Sequence, residues 1–154
     1  MEDLTALRAL VEEAAIRQAI ARGGDVWEAG IVAAFHRLEL QLRRKMDRFS
    51  GADEEAIRAY DQVHRAFHAA FFAGGVVSER LVALHCNLYD QAFRYRKTLH
   101  DKPYSPEQVL SVHRQLMEVV LSRDADAAVE ALCAHLRSTR HATARFLARR
   151  SDAA

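Results

Sequence analysis

The spacing of the apolar residues, with very few helix breakers between them, is the feature that most restricts the fold of this chain. Its 154 residues include only two prolines and six glycines. Elsewhere apolar side chains recur every three or four positions. This period matches one face of an α-helix, whereas a half-buried strand alternates with a period of two. We therefore predict an all-α protein, an antiparallel bundle of about six helices.

Local start and stop signals place these helices along the chain. Asp25 with Glu28 predicts a capping box at the start of the second helix. Ser105, Pro106 and Gln108 predict a capped start for the fifth, with proline in the first turn. The expected helices cover about residues 3–22, 25–47, 53–73, 79–99, 106–123 and 125–147. In the first helix, one apolar face is expected to carry Leu4, Leu7, Val11, Ala15 and Ala19.

Length, charge and cysteine content narrow the class of protein. A chain of 154 residues suits one domain, residues 1–154, with a core that needs no disulfides. The formal net charge of +1 indicates neither nucleic acid nor an anionic membrane as a direct partner. Cys86 and Cys133 stand singly in helical patterns, which is typical of a reducing compartment. The first helix is charged and periodic, unlike a secretory signal. We expect a cytoplasmic protein.

Two of the eight histidines stand one helical turn apart in "HRAFHAAFFAGG", residues 64 to 75. His64 and His68 project from the same side of the third expected helix, which also carries Phe67 and Phe71. Imidazoles on such a buried side lose their hydrogen bonds to water and need other partners in its place. One interpretation is that each is a core histidine bonded to a carbonyl group.

His113 and His135 also stand on apolar faces, in the fifth and sixth helices. Four inward histidines on three helices favour a second interpretation, because facing helices of a bundle build metal sites in a central cavity. Neutral imidazoles suit zinc, nickel, copper or iron. The remaining histidines are left out of this expected site: His36, His85, His100 and His141.

Several segments resemble a known family. "HRAFHAAFFAGGVVSERLVALHCNLYDQAFRYRKTL" and "SVHRQLMEVVLSRDADAAVEALCAHL" are similar to the FadR C-terminal, or FCD, domain of GntR-type bacterial transcription regulators. "LRALVEEAAIRQAI" resembles the first effector-domain helix of that family, with Arg8 and Glu12 four apart. The most specific part is the order of histidines: one in an "FH" pair, a second 45 residues later and a third 22 after that.

The resemblance implies a divalent metal at the floor of a cavity in the bundle. Many members hold it with three histidines and with an aspartate four residues before the "FH" histidine. The matching histidines here are His68, His113 and His135, and His64 stands in the position of the aspartate. "HRAFH" and "RYR" resemble the CsiR-like branch of these regulators.

This replacement changes the expected metal. A neutral imidazole in place of a carboxylate leaves about one more positive charge on a bound dication, which favours an anionic ligand and weakens the binding of hard ions. We expect zinc or nickel rather than magnesium or calcium. Asp61 is expected to orient one of the ligating histidines without binding the metal itself, or to serve as an alternative ligand. The alternative is an ordinary helix charge without a role in the site.

The family resemblance also implies a small organic acid as effector. Arg8 from the first helix, and Arg94 and Arg96 from "RYR", are the candidate carboxylate-binding residues, because guanidinium grips a carboxylate bidentately. Each has the alternative of pairing with a neighbour such as Glu12 or Asp90, or of facing solvent.

The resemblance further implies a homodimer that reaches DNA through a winged helix-turn-helix. We expect that DNA-binding domain to be absent from this chain, which is then either a fragment of a longer repressor or a free-standing effector domain. Two other classes stay open. One is a small histidine-rich metalloenzyme, although no nucleophile motif and no general base beyond Asp61 is present. The other is a metal-free helical dimerisation module. We expect a regulatory domain and not an enzyme.

Overall fold

The computed structural model describes residues 2–45, 54–73, 77–96 and 105–151, and these form six α-helices without a strand among them. The helices are α1 (Glu2–Arg22), α2 (Asp25–Lys45), α3 (Glu54–Ala70), α4 (Glu79–Arg96), α5 (Pro106–Leu121) and α6 (Ala125–Ser151). The predicted all-α bundle of six helices is confirmed. None of the helices in these ranges combines the length and apolar character needed to cross a lipid bilayer.

The start of α5 follows the sequence signal. Ser105 occupies the cap position in extended backbone conformation, and its side chain accepts a hydrogen bond from the Gln108 amide at 3.3 Å. Pro106 is the first helical residue, where its missing N–H costs nothing. The helix ends at Leu121, two residues earlier than predicted, because Arg123 adopts a left-handed backbone with φ of 62°.

The predicted capping box of α2 is wrong. Asp25 is already helical, and the Glu28 amide donates to the Gly24 carbonyl at 3.1 Å, so that Gly24 takes the cap position. The Glu28 carboxylate instead accepts a hydrogen bond from Arg123 Nε at 2.7 Å. The predicted ends of the second and fourth helices, the glycines at 74 and 75, and His100 lie outside the described residues.

The helices pack around one apolar core. α1 lies against α4 and α6, α2 lies against α3 and α5, and further contacts join α5 to α6 and α3 to α4. Phe67 lies near its centre, with its ring edge-on to Phe35 at 5.8 Å and to Phe71 at 4.9 Å between centroids. This packing brings the inner faces of α3, α5 and α6 together.

The inner face of α1 differs from the predicted one. Val11, Ala15 and Ala19 are buried as expected, but Leu7 is 42% exposed. The neighbouring positions Arg8 and Glu12 are buried in its place. Two charged residues therefore enter the bundle on this helix.

Candidate metal centre

Four histidines from three helices meet inside the bundle. His64 and His68 come from α3, His113 from α5 and His135 from α6, and one ring nitrogen of each lies within 4.8 Å of those of the others. The first three are buried and His135 is half-buried. The i, i+4 spacing on α3 supplies two of the rings from adjacent turns. The packing of α5 and α6 supplies the other two.

His68 lies close to every other member of this group, which we call the histidine cluster. Its ring centroid lies 4.6 Å from that of His64, 5.5 Å from that of His113 and 5.1 Å from that of His135. The residue is 2% exposed, and neither ring nitrogen has a hydrogen-bond partner. A buried polar group without a partner is costly in a folded protein. The site therefore contains polar atoms that a ligand would satisfy.

The electrostatics of His68 keep its ring neutral. Burial, followed by the neighbouring histidines and Arg8, lowers the pKa of His68 well below its ordinary value of 6.5. The neutral imidazole carries the lone pair that a metal ion binds. At neutral pH the side chain is thus already in its ligating form.

His113 has a defined tautomer. Its Nδ1 lies 2.7 Å from the backbone carbonyl oxygen of Val109. A carbonyl oxygen only accepts hydrogen bonds, so Nδ1 carries the proton and Nε2 of the neutral ring carries the lone pair. That Nε2 lies 2.9 Å from Nε2 of His64. The lone pair of His113 is directed into the histidine cluster.

His64 contacts a second element on its other side. Its Nδ1 lies 2.6 Å from the hydroxyl oxygen of Tyr89, a fully buried residue of α4. The same hydroxyl lies 3.3 Å from Oδ1 of Asp61. Asp61 is half-buried and reaches the histidine cluster through Tyr89. Sequence reasoning singled out Asp61 and missed Tyr89.

The dimensions of the cluster suit one metal ion. Four nitrogen ligands at 2.0–2.1 Å from a tetrahedral ion lie about 3.4 Å apart. The ring nitrogens here lie within 4.8 Å of one another, so side-chain rotations that move them by about 1 Å would close the set round one ion. All four donors are imidazole nitrogens, which zinc and nickel accept and which magnesium and calcium do not.

A second group of buried polar residues lies between α1 and α4. Nε and Nη2 of Arg8 donate to Oε1 of Glu12 at 3.0 and 2.7 Å. Nδ1 of His85 lies 3.2 Å from the same oxygen, and the Arg8 guanidinium lies 5.5 Å from the ring centroid of Tyr89. Burial alone would raise the pKa of Glu12, but Arg8 and His85 outweigh it, and the pKa lies below its ordinary value. Glu12 is therefore a buried carboxylate.

The family model described as FCD domain matches residues 3–138. This chain belongs to the FCD domain family. It is 32% identical over 143 residues to the HTH-type transcriptional regulator BphR of Paraburkholderia xenovorans (strain LB400), covering 90% of the chain and 55% of that protein. It is 36% identical over 138 residues to the HTH-type transcriptional repressor GlaR of Escherichia coli (strain K12), covering 87% of the chain and 60% of that protein. No solved structure gives a significant match.

The chain thus spans little more than half the length of these two transcriptional regulators. Within this FCD domain the three candidate effector residues differ in position. Arg8 is buried beside Glu12. Arg94 is exposed near the end of α4. The side chain of Arg96 lies outside the described part of the structure.

The histidines that were left out of the site lie elsewhere. His36 and His141 are exposed on α2 and α6 of the FCD domain. His85 is fully buried beside Glu12 and is not a member of the histidine cluster. The sequence signal for its burial is the spacing of four to Tyr89, which places both on the inner face of α4.

Proposed function

We propose that this chain is the ligand-sensing regulatory domain of a GntR/FadR-type bacterial transcription regulator, and that it binds a divalent metal and a small organic acid inside the bundle to control DNA binding. The observation that carries the proposal is His68, a buried, neutral ring with two unpartnered nitrogens and three other histidines around it. The large majority of buried polar side-chain atoms in folded proteins have a hydrogen-bond partner, so two unpartnered nitrogens among three other histidines favour a ligand.

The proposed metal ligands are His64, His68, His113 and His135, and zinc or nickel is the proposed ion. Four neutral rings leave both charges of the ion uncompensated inside an apolar bundle. The bound ion would therefore supply a Lewis-acidic position that favours the carboxylate of an organic acid. Asp61 is proposed to orient a ligand rather than to bind the metal itself, because its carboxylate accepts a hydrogen bond from Tyr89, whose hydroxyl oxygen also lies 2.6 Å from Nδ1 of His64.

Arginine side chains are proposed to hold a second anionic group of the effector. Arg8 is the best placed, since its guanidinium lies beside Tyr89 and so close to the histidine cluster. Its bonds to Glu12 use two of the five N–H donors of a guanidinium. Arg94 and Arg96 are the other proposed contacts, at the end of α4.

The proposed output is a change in DNA binding and not a chemical reaction. Both named relatives are HTH-type regulators of greater length than this chain. We propose that DNA is contacted through a winged helix-turn-helix outside these 154 residues, and that the effector domain forms a homodimer. An effector that binds one arrangement of the dimer better would then shift the population toward that arrangement. This would change the spacing of the two DNA-binding domains.

Metal analysis combined with thermal unfolding tests this function. The purified chain is stripped with a chelator, reloaded with zinc or nickel, and melted with and without a panel of small carboxylates. We expect one metal ion per chain and a rise in Tm with a subset of acids in the loaded protein only. Absence of stoichiometric metal after reloading contradicts the metal site. Turnover of a substrate contradicts the sensor.

A further inference from the structure

A line of polar contacts runs from the histidine cluster to a half-buried carboxylate, Asp61, one turn before His64 on α3. Nδ1 of His64 lies 2.6 Å from the hydroxyl oxygen of Tyr89, and that oxygen lies 3.3 Å from Oδ1 of Asp61. His64 and Asp61 both belong to α3, whereas Tyr89 comes from α4 and is fully buried between them. Which of these atoms carry protons, called the proton order below, decides whether Nε2 of His64 has a lone pair for a metal ion.

Two proton orders are compatible with the contacts. In the first, Tyr89 donates to Nδ1 of His64, and Nε2–H of His64 donates to Nε2 of His113. In the second, Nδ1–H of His64 donates to Tyr89, and Tyr89 donates to Asp61. The second order leaves Nε2 of His64 as a lone pair that faces the lone pair of His113 at 2.9 Å. Two lone pairs at this distance repel each other unless a cation lies between them.

We propose that Tyr89, polarised by Asp61, is a positioning residue that imposes the second order on His64 when metal is bound. The proposal rests on the metal site proposed above. A carboxylate accepts a hydrogen bond more strongly than a neutral group, so Asp61 draws the hydroxyl proton of Tyr89 and makes its oxygen a better acceptor for Nδ1–H. Partners of this kind orient metal-ligating histidines and raise their basicity.

This arrangement compensates for the all-histidine ligand set. The four rings carry no negative charge. Asp61 supplies a negative charge that is linked to the ligand His64 by two hydrogen bonds through Tyr89. Tyr89 transmits it without bringing the carboxylate into the cluster. His64 and Asp61 together then resemble a carboxylate ligand in charge while keeping a nitrogen donor at the metal.

Zinc affinity and ring protonation test the proposal. Zinc binding by the purified chain is measured by competition with a chromophoric chelator for the unaltered protein, Tyr89→Phe, Asp61→Asn and the control Tyr95→Phe on the same helix. We expect Tyr89→Phe to lose about 10- to 100-fold in affinity. Asp61→Asn should lose less, since its amide oxygen still accepts, and Tyr95→Phe should match the unaltered chain.

Nitrogen NMR of the zinc-loaded chain gives a second readout that a purely structural role would not change. Long-range ¹H–¹⁵N spectra should show His64 protonated at Nδ1, and this proton should exchange slowly with water in the unaltered chain and fast in Tyr89→Phe. Equal affinity and an unchanged His64 spectrum in Tyr89→Phe overturn the proposal alone. Failure of the unaltered chain to bind zinc overturns the proposed function and this proposal with it. If Tyr89→Phe does not fold, unchanged affinity and spectrum in Asp61→Asn overturn the proposal.

Discussion

Arg8 and Glu12 form an ion pair inside the bundle, with Nη2 of Arg8 2.7 Å from Oε1 of Glu12. Directly beside it on α1, Glu13 and Arg17 form a pair of the same i, i+4 spacing at 3.1 Å. The side chains of the first pair are 7% and 1% exposed, whereas those of the second are 42% and 41% exposed for Arg17 and Glu13. The two pairs differ in burial far more than in geometry.

Removal of the buried carboxylate should destabilise the fold far more than removal of the exposed one. Glu12→Ala leaves the Arg8 guanidinium buried without its partner, and we expect a loss of about 3–5 kcal/mol in the free energy of unfolding. Glu13→Ala, the matched control, should cost no more than about 1 kcal/mol. Urea unfolding followed by circular dichroism measures both. Similar losses in the two variants would contradict a stabilising role for the buried pair.

The buried carboxylate should also make stability depend on pH. Arg8 and His85 outweigh the effect of burial and hold the pKa of Glu12 below its ordinary value of 4.5. The folded state therefore favours the charged form, and this stabilisation is complete above the ordinary pKa and is lost as the pH falls through the lowered pKa. Glu12→Gln lacks this contribution. We expect the difference in unfolding free energy between the two proteins to shrink as the pH falls below the ordinary value of 4.5, as measured by urea titrations on both sides of that pH. A constant difference would contradict it.

The fold class could be predicted because its signals are local. A period of three to four and the scarcity of glycine and proline act within each segment, and so does the Ser105 cap of α5. The error at α2 is also local, since Gly24 stands next to Asp25 and glycine, although it ranks below aspartate, is also an accepted cap residue.

The buried charges could not be predicted from periodicity. Leu7 belongs to the apolar pattern of α1, yet Arg8 and Glu12 take the inner positions. Their burial depends on each other and on His85 from α4, a contact that exists only after folding. Tyr89 was missed for the same reason, because its hydroxyl gains its role from two residues of α3.

The members of the histidine cluster should differ from the outlying histidines in their effect on metal binding. His68→Ala and His113→Ala remove central donors, and we expect both to abolish stoichiometric zinc binding. His36→Ala is the matched control, since its side chain is 64% exposed and it lies outside the cluster. Zinc content after reloading and dialysis measures the outcome, with circular dichroism as the check on folding. Equal zinc retention in all three variants would refute the ligand set.

The turn between α1 and α2 offers a prediction about packing. A Cβ atom on Gly23 would lie 2.3 Å from Cε3 of Trp27 and 2.7 Å from the carbonyl oxygen of Ala19. Trp27 is buried, and its indole N–H donates to the Phe71 carbonyl at 3.1 Å. The ring cannot move aside without straining this bond.

Gly23→Ala should therefore cost about 1–3 kcal/mol in the free energy of unfolding, as overpacking of a filled core does. Gly24→Ala is its neighbour and control, because a Cβ atom there meets nothing within 4 Å. Its effect should stay below about 1 kcal/mol, the part that comes from alanine being a poorer helix cap than glycine. The chain has a single tryptophan, so its fluorescence reports a displacement of the Trp27 indole directly. The emission should shift in Gly23→Ala and not in Gly24→Ala. Unchanged emission and stability in Gly23→Ala would show that the turn adapts without displacing the indole.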